Sequence, residues 1–145
     1  MPFVDAVAAA VSDRGWVFID RTGKPLATAF VFDNAADDFV EQRARIIEGD
    51  RYGFIASTGE IVVPATWSFV EPFSGGYAAV CEGCKREDLG EHFVMAGGKW
   101  GYVDAAGTLV IPPRFDAAAP FVDGRATVKE GGRERVIGPD GVEKK

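Results

Sequence analysis

The chain has 145 residues, of which 47% are hydrophobic and 26% are charged, and its formal net charge is −6. This composition is typical of a globular protein, and the length suits a single domain over residues 1–145. It excludes binding to nucleic acid or to an anionic membrane surface, which needs clustered Lys and Arg side chains that the sequence lacks. No apolar run approaches the ~20 residues of a membrane-spanning helix.

The N-terminal segment predicts a short helix from Val4 to Val11 and no secretion signal. Its apolar stretch lacks the preceding basic residues of a signal peptide, and Asp5 interrupts it. The two cysteines of the chain do not make a disulfide framework. These features favour a cytoplasmic protein.

From residue 14 onward the chain repeats one phrase: RGWVFIDRTG at 14–23, RYGFIASTG at 51–59 and KWGYVDAAG at 99–107. A shift of 48 residues aligns the second copy with the third over more than 25 positions, and shifts of 82 to 84 align the first with the third. Such self-similarity is the signature of a repeat array. The predicted organisation is repeat 1 at about 14–50, repeat 2 at about 51–80, an insertion at about 81–98, repeat 3 at about 99–130 and a degenerate repeat 4 at about 131–145.

Each repeat is predicted to form three short strands. In the third copy, residues 100–104 alternate as a first strand, Asp104 to Gly107 forms a hairpin turn, and residues 109–111 return. Pro112 and Pro113 are expected to end that strand, because proline donates no ladder hydrogen bond. Residues 125–129 alternate as a third strand. Stacked copies can bury each other's rings, so we expect an all-β fold of about ten strands in one compact curved sheet, barrel or partial propeller.

Residues that recur in the repeats are best explained by folding. Gly53 and Gly101 are expected to let a neighbouring chain approach the backbone closely, whereas Val17 takes that place in the first copy. The acidic pair Asp37-Asp38 is expected to be solvated surface. The expected turn formers are Asp20, Asp33, Asp104 and Asp116, and the expected core aromatics are Trp16, Trp67, Trp100, Phe73 and Phe121.

The recurring pattern resembles the WG repeat of bacterial proteins. The third copy matches it at Trp100-Gly101-Tyr102-Val103-Asp104, Gly107, Val110-Ile111-Pro112, Phe115-Asp116, Phe121, Asp123-Gly124, Ala126 and Val128. The second copy departs from it at Tyr52, Ala56 and Ser68, and the first lacks the Gly after Trp16. The resemblance implies a binding or scaffold module, and it implies no catalytic residues.

The insertion gathers both cysteines and the single histidine of the chain. Cys81, Cys84 and His92 are candidate ligands for Zn²⁺, with Glu91 or Asp88 as a fourth. A redox-active pair is an alternative, although such pairs usually begin a helix. The third interpretation is two cysteines without a chemical role, either reduced or incidentally oxidised, in the tip of a long hairpin whose returning strand begins at His92.

We therefore expect a non-enzymatic module that binds a protein partner and needs no cofactor, and an inhibitor or immunity protein is one such module. The candidate partner-binding residues are acidic side chains of the insertion: Glu82, Glu87, Asp88 and Glu91. The alternative is a zinc-binding or metal-dependent protein that uses the cysteines and His92. A monomer and a dimer paired through strand edges are both compatible with the sequence.

Overall fold

The structure, a computed structural model, describes residues 5–13, 15–32, 35–90 and 92–144. All regular structure in these ranges is β, in seventeen strand segments that form six small antiparallel sheets and not one closed barrel. The prediction of an all-β fold of repeated hairpins is confirmed. None of the described residues belongs to a helix able to cross a membrane.

The chain divides by its internal contacts into two compact units, Met1–Thr66 and Trp67–Lys145. The first unit contains three sheets, ordered β1-β2-β3, β4-β5 and β6-β7-β8. Its strands are β1 (Ala8–Ser12), β2 (Gly15–Ile19), β3 (Pro25–Thr28), β4 (Val31–Phe32), β5 (Ala35–Ala36), β6 (Arg43–Glu48), β7 (Arg51–Ala56) and β8 (Ile61–Trp67), the last of which ends on the first residue of the second unit.

The second unit also contains three sheets, ordered β14-β13-β10-β9, β11-β12 and β15-β16-β17. Its strands are β9 (Phe69–Val70), β10 (Tyr77–Glu82), β11 (Lys85–Leu89), β12 (His92–Ala96), β13 (Lys99–Asp104), β14 (Leu109–Phe115), β15 (Ala117–Ala118), β16 (Ala126–Glu130) and β17 (Arg133–Ile137). Four of the seventeen segments have only two residues, and three more are β1, which replaces an expected helix, and the pair β11 and β12 within the insertion; the remaining ten match the number expected.

The third strand of each repeat pairs with the first strand of the next. These pairs are β6 with β7, β10 with β13, and β16 with β17. In every pair a buried alanine of the third strand lies opposite an aliphatic residue: Ala44 opposite Ile55, Ala78 opposite Val103, and Ala126 opposite Ile137. The ladder therefore joins successive repeats, which explains why alanine recurs there.

The predicted N-terminal helix is wrong, because β1 is a strand of the same kind. Ala8 is buried opposite Ile19 of β2, as Ala126 is buried opposite Ile137. The missed sequence signal is FVDAVAAA at 3–10, which matches FVDGRATV at 121–128. Alanine favours a helix by propensity alone, but pairing with β2 overrides that weak preference. The sequence also predicts a helical turn around Asn34 to Asp38, and the described part of that segment instead contains β5.

Each third strand is entered through a two-residue turn in which both residues have positive φ. The values are 51° and 65° at Glu41-Gln42, 60° and 88° at Gly75-Gly76, and 54° and 77° at Asp123-Gly124. Positive φ at both central residues is the requirement of a type I′ hairpin turn, which glycine meets without strain. Glu41-Gln42 is therefore the strained version of the turn.

Gln42→Gly is expected to raise the free energy of unfolding of the first unit by about 0.5 to 1 kcal/mol, because the left-handed conformation penalises a side chain. Urea unfolding measures the gain. The matched control is Gly76→Gln, which places a side chain at the equivalent position with φ of 88° and should destabilise by a similar amount. Equal stabilities of Gln42→Gly and the wild type would contradict the strain argument.

Strand β14 continues through Pro112 and Pro113, so the expectation that the prolines end it is wrong. Trp100 lies opposite Phe115 and Tyr102 opposite Ile111, which leaves residues 112–114 in an irregular stretch beside Gly101. Regular ladder bonds are interrupted there, so proline's missing donor costs little.

The close backbone approach predicted at Gly53 and Gly101 is confirmed. A Cβ on Gly101 would lie 2.3 Å from the carbonyl oxygen of Ile111, and one on Gly53 would lie 2.2 Å from that of Val63. Val17 instead pairs in register with Thr28, so the first copy packs differently, as expected.

Each unit has its own apolar core. In the first unit, Val7, Phe18, Ala29, Ala44, Ile46 and Ile55 form one buried cluster. In the second, the buried ring of Phe121 lies 4.8 Å from that of Tyr102 and 4.9 Å from that of Tyr77. Among the expected core aromatics, Trp100, Phe73 and Phe121 are buried, whereas Trp16 and Trp67 are only half-buried.

The fully buried Tyr102 donates a hydrogen bond from its hydroxyl to the carbonyl oxygen of Ala119, at 2.7 Å. Burial raises the pKa of the Tyr102 phenol above its ordinary value. The folded state therefore holds the phenolic proton more tightly than the unfolded chain does.

Tyr102→Phe is expected to lower the free energy of unfolding by about 1 kcal/mol at neutral pH, because the Ala119 carbonyl loses this donor. The tyrosine's contribution is complete below pH ~10, the unfolded pKa, and is lost as pH rises towards the raised folded value. The difference between variant and wild type should therefore shrink at alkaline pH in parallel urea titrations. A difference independent of pH would contradict the role given to burial.

Two of the expected turn aspartates are confirmed. Asp20 Oδ1 accepts hydrogen bonds from the amides of Thr22 and Lys24, and Asp104 Oδ1 accepts them from Ala106 and Thr108. Asp33 lies outside the described residues.

The fourth aspartate, Asp116, does not form a turn but joins distant segments. Its carboxylate pairs with the Lys99 ammonium and accepts a hydrogen bond from the amide of Gly131 at 2.9 Å. The Lys99 ammonium, followed by the Gly131 amide, lowers the pKa of the Asp116 carboxyl.

Candidate functional site

The insertion forms an antiparallel hairpin of β11 and β12, called here the insertion hairpin (residues 85–96). Its register runs from Lys85 opposite Ala96 to Leu89 opposite His92. The prediction of a returning strand that begins at His92 is confirmed. The two strands make a sheet of their own.

The insertion hairpin interrupts a turn that the other repeats close directly. Residues Glu130-Gly131-Gly132-Arg133 connect β16 to β17, and Glu130 lies opposite Arg133. In the preceding repeat Glu82 lies opposite Lys99 in the same way. A shift of 48 aligns Glu82-Gly83 with Glu130-Gly131, and a shift of 34 aligns Gly98-Lys99 with Gly132-Arg133. The inserted segment is therefore residues 84–97, narrower than the 81–98 expected.

The two glycines of the interrupted turn remain neighbours. A Cβ on Gly83 would lie 3.6 Å from the Cα of Gly98, and one on Gly98 would lie 2.5 Å from the amide nitrogen of Cys84. The Gly83 amide donates to Ser68 Oγ at 2.9 Å, which corresponds at the same shift to the Gly131–Asp116 bond. The strands on either side therefore meet as they do in a repeat without an insertion.

Cys81 and Cys84 form a disulfide, with their Cα atoms 6.0 Å apart. Cys81 belongs to β10, where it is fully buried and lies opposite Trp100 of β13 and Phe69 of β9. Cys84 is 8% exposed and immediately precedes β11. The disulfide thus links a fixed strand of the second unit to the first residue of the inserted segment, across Gly83.

One face of the insertion hairpin packs against the rest of the second unit. The Phe93 ring meets the Phe69 ring edge-on at 6.0 Å, and the Arg86 guanidinium lies 4.1 Å above Phe93. Arg86 Nε also donates to Asp88 Oδ1 at 2.9 Å. An aromatic ring and a cation above it hold this face in place.

The other face is turned away from that packing. Cross-strand partners share a face, so Lys85, Glu87 and Val94 lie together on it. The apolar side chains Leu89 and Val94 are 56% and 46% exposed. Both apolar side chains are therefore largely accessible to solvent on this face.

The structure brings together only part of the predicted site. Glu82, Glu87 and Asp88 are exposed, and Asp88 is held by Arg86, while Glu91 lies outside the described residues. For His92 only the backbone is described. It lies opposite Leu89, which is four residue steps, or roughly 13 Å, along β11 from Lys85, the residue that follows Cys84.

Zinc binding therefore stays a prediction, and it applies only to the protein with its disulfide reduced. Zn²⁺ is held by thiolates, so Cys81 and Cys84 would first have to be reduced. Across the described ranges no group of three Cys, His, Asp or Glu side chains is arranged to hold a metal ion.

Sequence reasoning missed three residues that hold the base of the insertion hairpin: Ser68, Phe69 and Gly98. The available signal was the alignment of Gly83 and Gly98 with the adjacent glycines 131 and 132. It shows that the extra residues lie between two halves of one turn and do not extend a strand.

A family model described as WG containing repeat matches residues 16–52, 52–85 and 100–133. These segments leave out most of the inserted residues. No curated protein and no solved structure matches the chain.

Proposed function

Because the chain belongs to the WG containing repeat family, we propose that it is a non-enzymatic binding module that presents the insertion hairpin to a protein partner. The observation that supports this most is the placement of residues 84–97 between two glycines of a repeat turn. Repeat 3 closes the same turn without them, so folding does not explain their presence.

The chemistry of the insertion hairpin fits a protein surface. Leu89 and Val94 offer apolar area beside the charged side chains of Lys85 and Glu87. Interfaces combine a few apolar contacts with a polar surround in this way. A two-stranded sheet also offers main-chain donors and acceptors to an added strand.

The candidate contact residues are those of the sequence analysis: Glu82, Glu87, Asp88 and Glu91. A partner with basic side chains is favoured by these groups and by the net charge of −6, since complementary charge speeds encounter. The proposal extends to an inhibitor or immunity type of protein that acts in the cytoplasm without a cofactor.

A deletion of residues 84–97 that joins Gly83 to Gly98 tests the proposal. It recreates the turn Glu-Gly-Gly-Lys, matching Glu130 to Arg133, so the variant is expected to stay folded. Affinity capture from native lysate should yield a stoichiometric protein with the wild type and none with the deletion. Capture of the same protein at the same affinity by both would overturn the proposal.

Point variants separate contact from fold. Glu87→Lys reverses an exposed charge that has no assigned role in packing, and it should weaken binding of the purified partner by about tenfold, as expected for one of the few contact residues that dominate binding. Glu48→Lys, at the corresponding end of β6 in a turn without an insertion, is the control and should bind normally. Weakening by both variants would indicate a general charge effect.

A further inference from the structure

The insertion hairpin is joined to the second unit through glycines on both sides. Gly83 has φ of 82° on one side, and Gly97 and Gly98 have φ of 73° and 70° on the other. Glycine has the widest torsional freedom of any residue. The connection is therefore built as a hinge, and other contacts must hold it at one angle.

The contacts at this hinge differ in strength. The hydrogen bond from the Gly83 amide to Ser68 Oγ and the Phe69–Phe93 ring contact are non-covalent. The Cys81–Cys84 disulfide is covalent and crosses Gly83, from a buried position in β10 to the residue before β11. A two-stranded sheet on its own is marginally stable in water. Its order should thus depend on how firmly its base is held.

We propose that the Cys81–Cys84 disulfide is a redox-sensitive latch that holds the insertion hairpin at its hinge. When the disulfide is intact, the hairpin stays packed on Phe69. When it is reduced, the backbone torsion angles of Gly83 and Gly97 can change, and the hairpin leaves that position for part of the time.

The chemistry requires a dithiol reductant. One thiolate of the reductant attacks Sγ of Cys84, the more exposed of the two residues, so that the bond between the cysteines breaks and the Cys81 thiolate leaves. The second thiolate of the reductant attacks the mixed disulfide, closes the reductant's own disulfide and releases Cys84. Two electrons and two protons pass to the cysteine pair, and a disulfide oxidant reverses the step.

Both redox states are compatible with the surroundings of the two cysteines. Cys81 is buried opposite Trp100 and Phe69, where a neutral thiol packs as a small apolar side chain. β10 therefore keeps its pairing after reduction, and the change is confined to the side of Gly83 that carries the hairpin.

Amide hydrogen exchange of the whole chain in its oxidised and dithiothreitol-reduced forms tests the latch. Reduction should speed exchange in residues 85–96 by about tenfold or more, as expected when a local opening becomes easier, while amides of β13 and β16 stay unchanged. Equal exchange in both forms would overturn the proposal, and so would faster exchange throughout the second unit.

Two controls show whether the change in exchange comes from breaking this disulfide and not from dithiothreitol itself. Cys84→Ser, at the more exposed position, should exchange like the reduced wild type and should not respond to dithiothreitol. Thiol titration should find no free thiol in the oxidised protein and two after reduction; two free thiols after treatment with oxidised glutathione would also overturn the latch.

Control of partner binding by the latch rests on the proposed function, but the exchange experiment does not. If deletion of residues 84–97 abolishes capture while reduction leaves exchange unchanged, the binding proposal stands and the latch fails. If exchange responds to reduction while the deletion still captures the same protein, the latch stands and the binding proposal fails.

Discussion

Gly101→Ala is expected to destabilise the second unit by about 3 kcal/mol, near the upper end for overpacking a tight site. The new Cβ would lie 2.3 Å from the carbonyl oxygen of Ile111 and 2.8 Å from the backbone of Pro112 and Pro113. These are backbone atoms of a paired strand, so they cannot move aside as a flexible side chain can. Thermal unfolding followed by circular dichroism measures the loss, and Gly53→Ala should have the same effect on the first unit.

The control separates the contact from the special conformation of glycine. Gly101 and Gly53 do not have positive φ, so alanine at these positions suffers only from the contact. Gly76 has φ of 88° and nothing within 4 Å of the added Cβ. Gly76→Ala should therefore cost about 1 kcal/mol, the strain of the conformation alone. Equal losses for Gly76→Ala and Gly101→Ala would contradict the proposed close approach.

Asp37→Ala is expected to lower the free energy of unfolding of the first unit by about 3 to 5 kcal/mol, because it leaves a buried guanidinium without its counterion. Arg45 and Asp37 have side chains only 7% and 9% exposed. Asp37 Oδ2 accepts from the Arg45 amide and Nε at 2.9 and 3.1 Å, and Oδ1 accepts from Nη2 at 3.0 Å. Urea unfolding measures the loss.

Two further variants show whether the lost ion pair is the cause. Asp38→Ala changes the neighbouring exposed carboxylate and should alter stability by less than about 0.5 kcal/mol, as is usual for surface positions. The double change Arg45→Met with Asp37→Leu removes both charges and should recover most of the loss, since an apolar pair avoids the desolvation of either ion. If the double variant is as unstable as Asp37→Ala, the lost stability comes from the Arg45 backbone amide, which loses its acceptor on Asp37, and not from the ion pair.

The sequence and the structure disagree about Asp37 for a physical reason. Two adjacent aspartates in an acidic chain predict solvated surface, and Asp38 fits that prediction. The burial of Asp37 depends on Arg45, eight residues away on β6, and on the Phe30 ring 4.6 Å from the guanidinium. No local pattern contains that information.

Much of the candidate site could be predicted from the sequence. The insertion and its hairpin follow from a break in the repeat and from the returning strand predicted to begin at His92. The disulfide did not follow, since Cys-x-x-Cys spacing is shared by metal sites, redox pairs and free thiols. The sequence also did not predict that Gly83 and Gly98 are neighbours in space, because fifteen residue steps separate them along the chain.

The sequence by itself determined the repeat, the all-β fold and the turn chemistry of Asp20 and Asp104. These properties are local: alternation selects strands, and short polar side chains or glycine select turns within a few residues. The tertiary structure alone decided that residues 8–12 form a strand, that Pro112 and Pro113 lie within one, and that the disulfide crosses the hinge. Each of these depends on a partner strand or a backbone approach from elsewhere in the chain, and such pairings override local preference because they bury more surface and satisfy more hydrogen bonds.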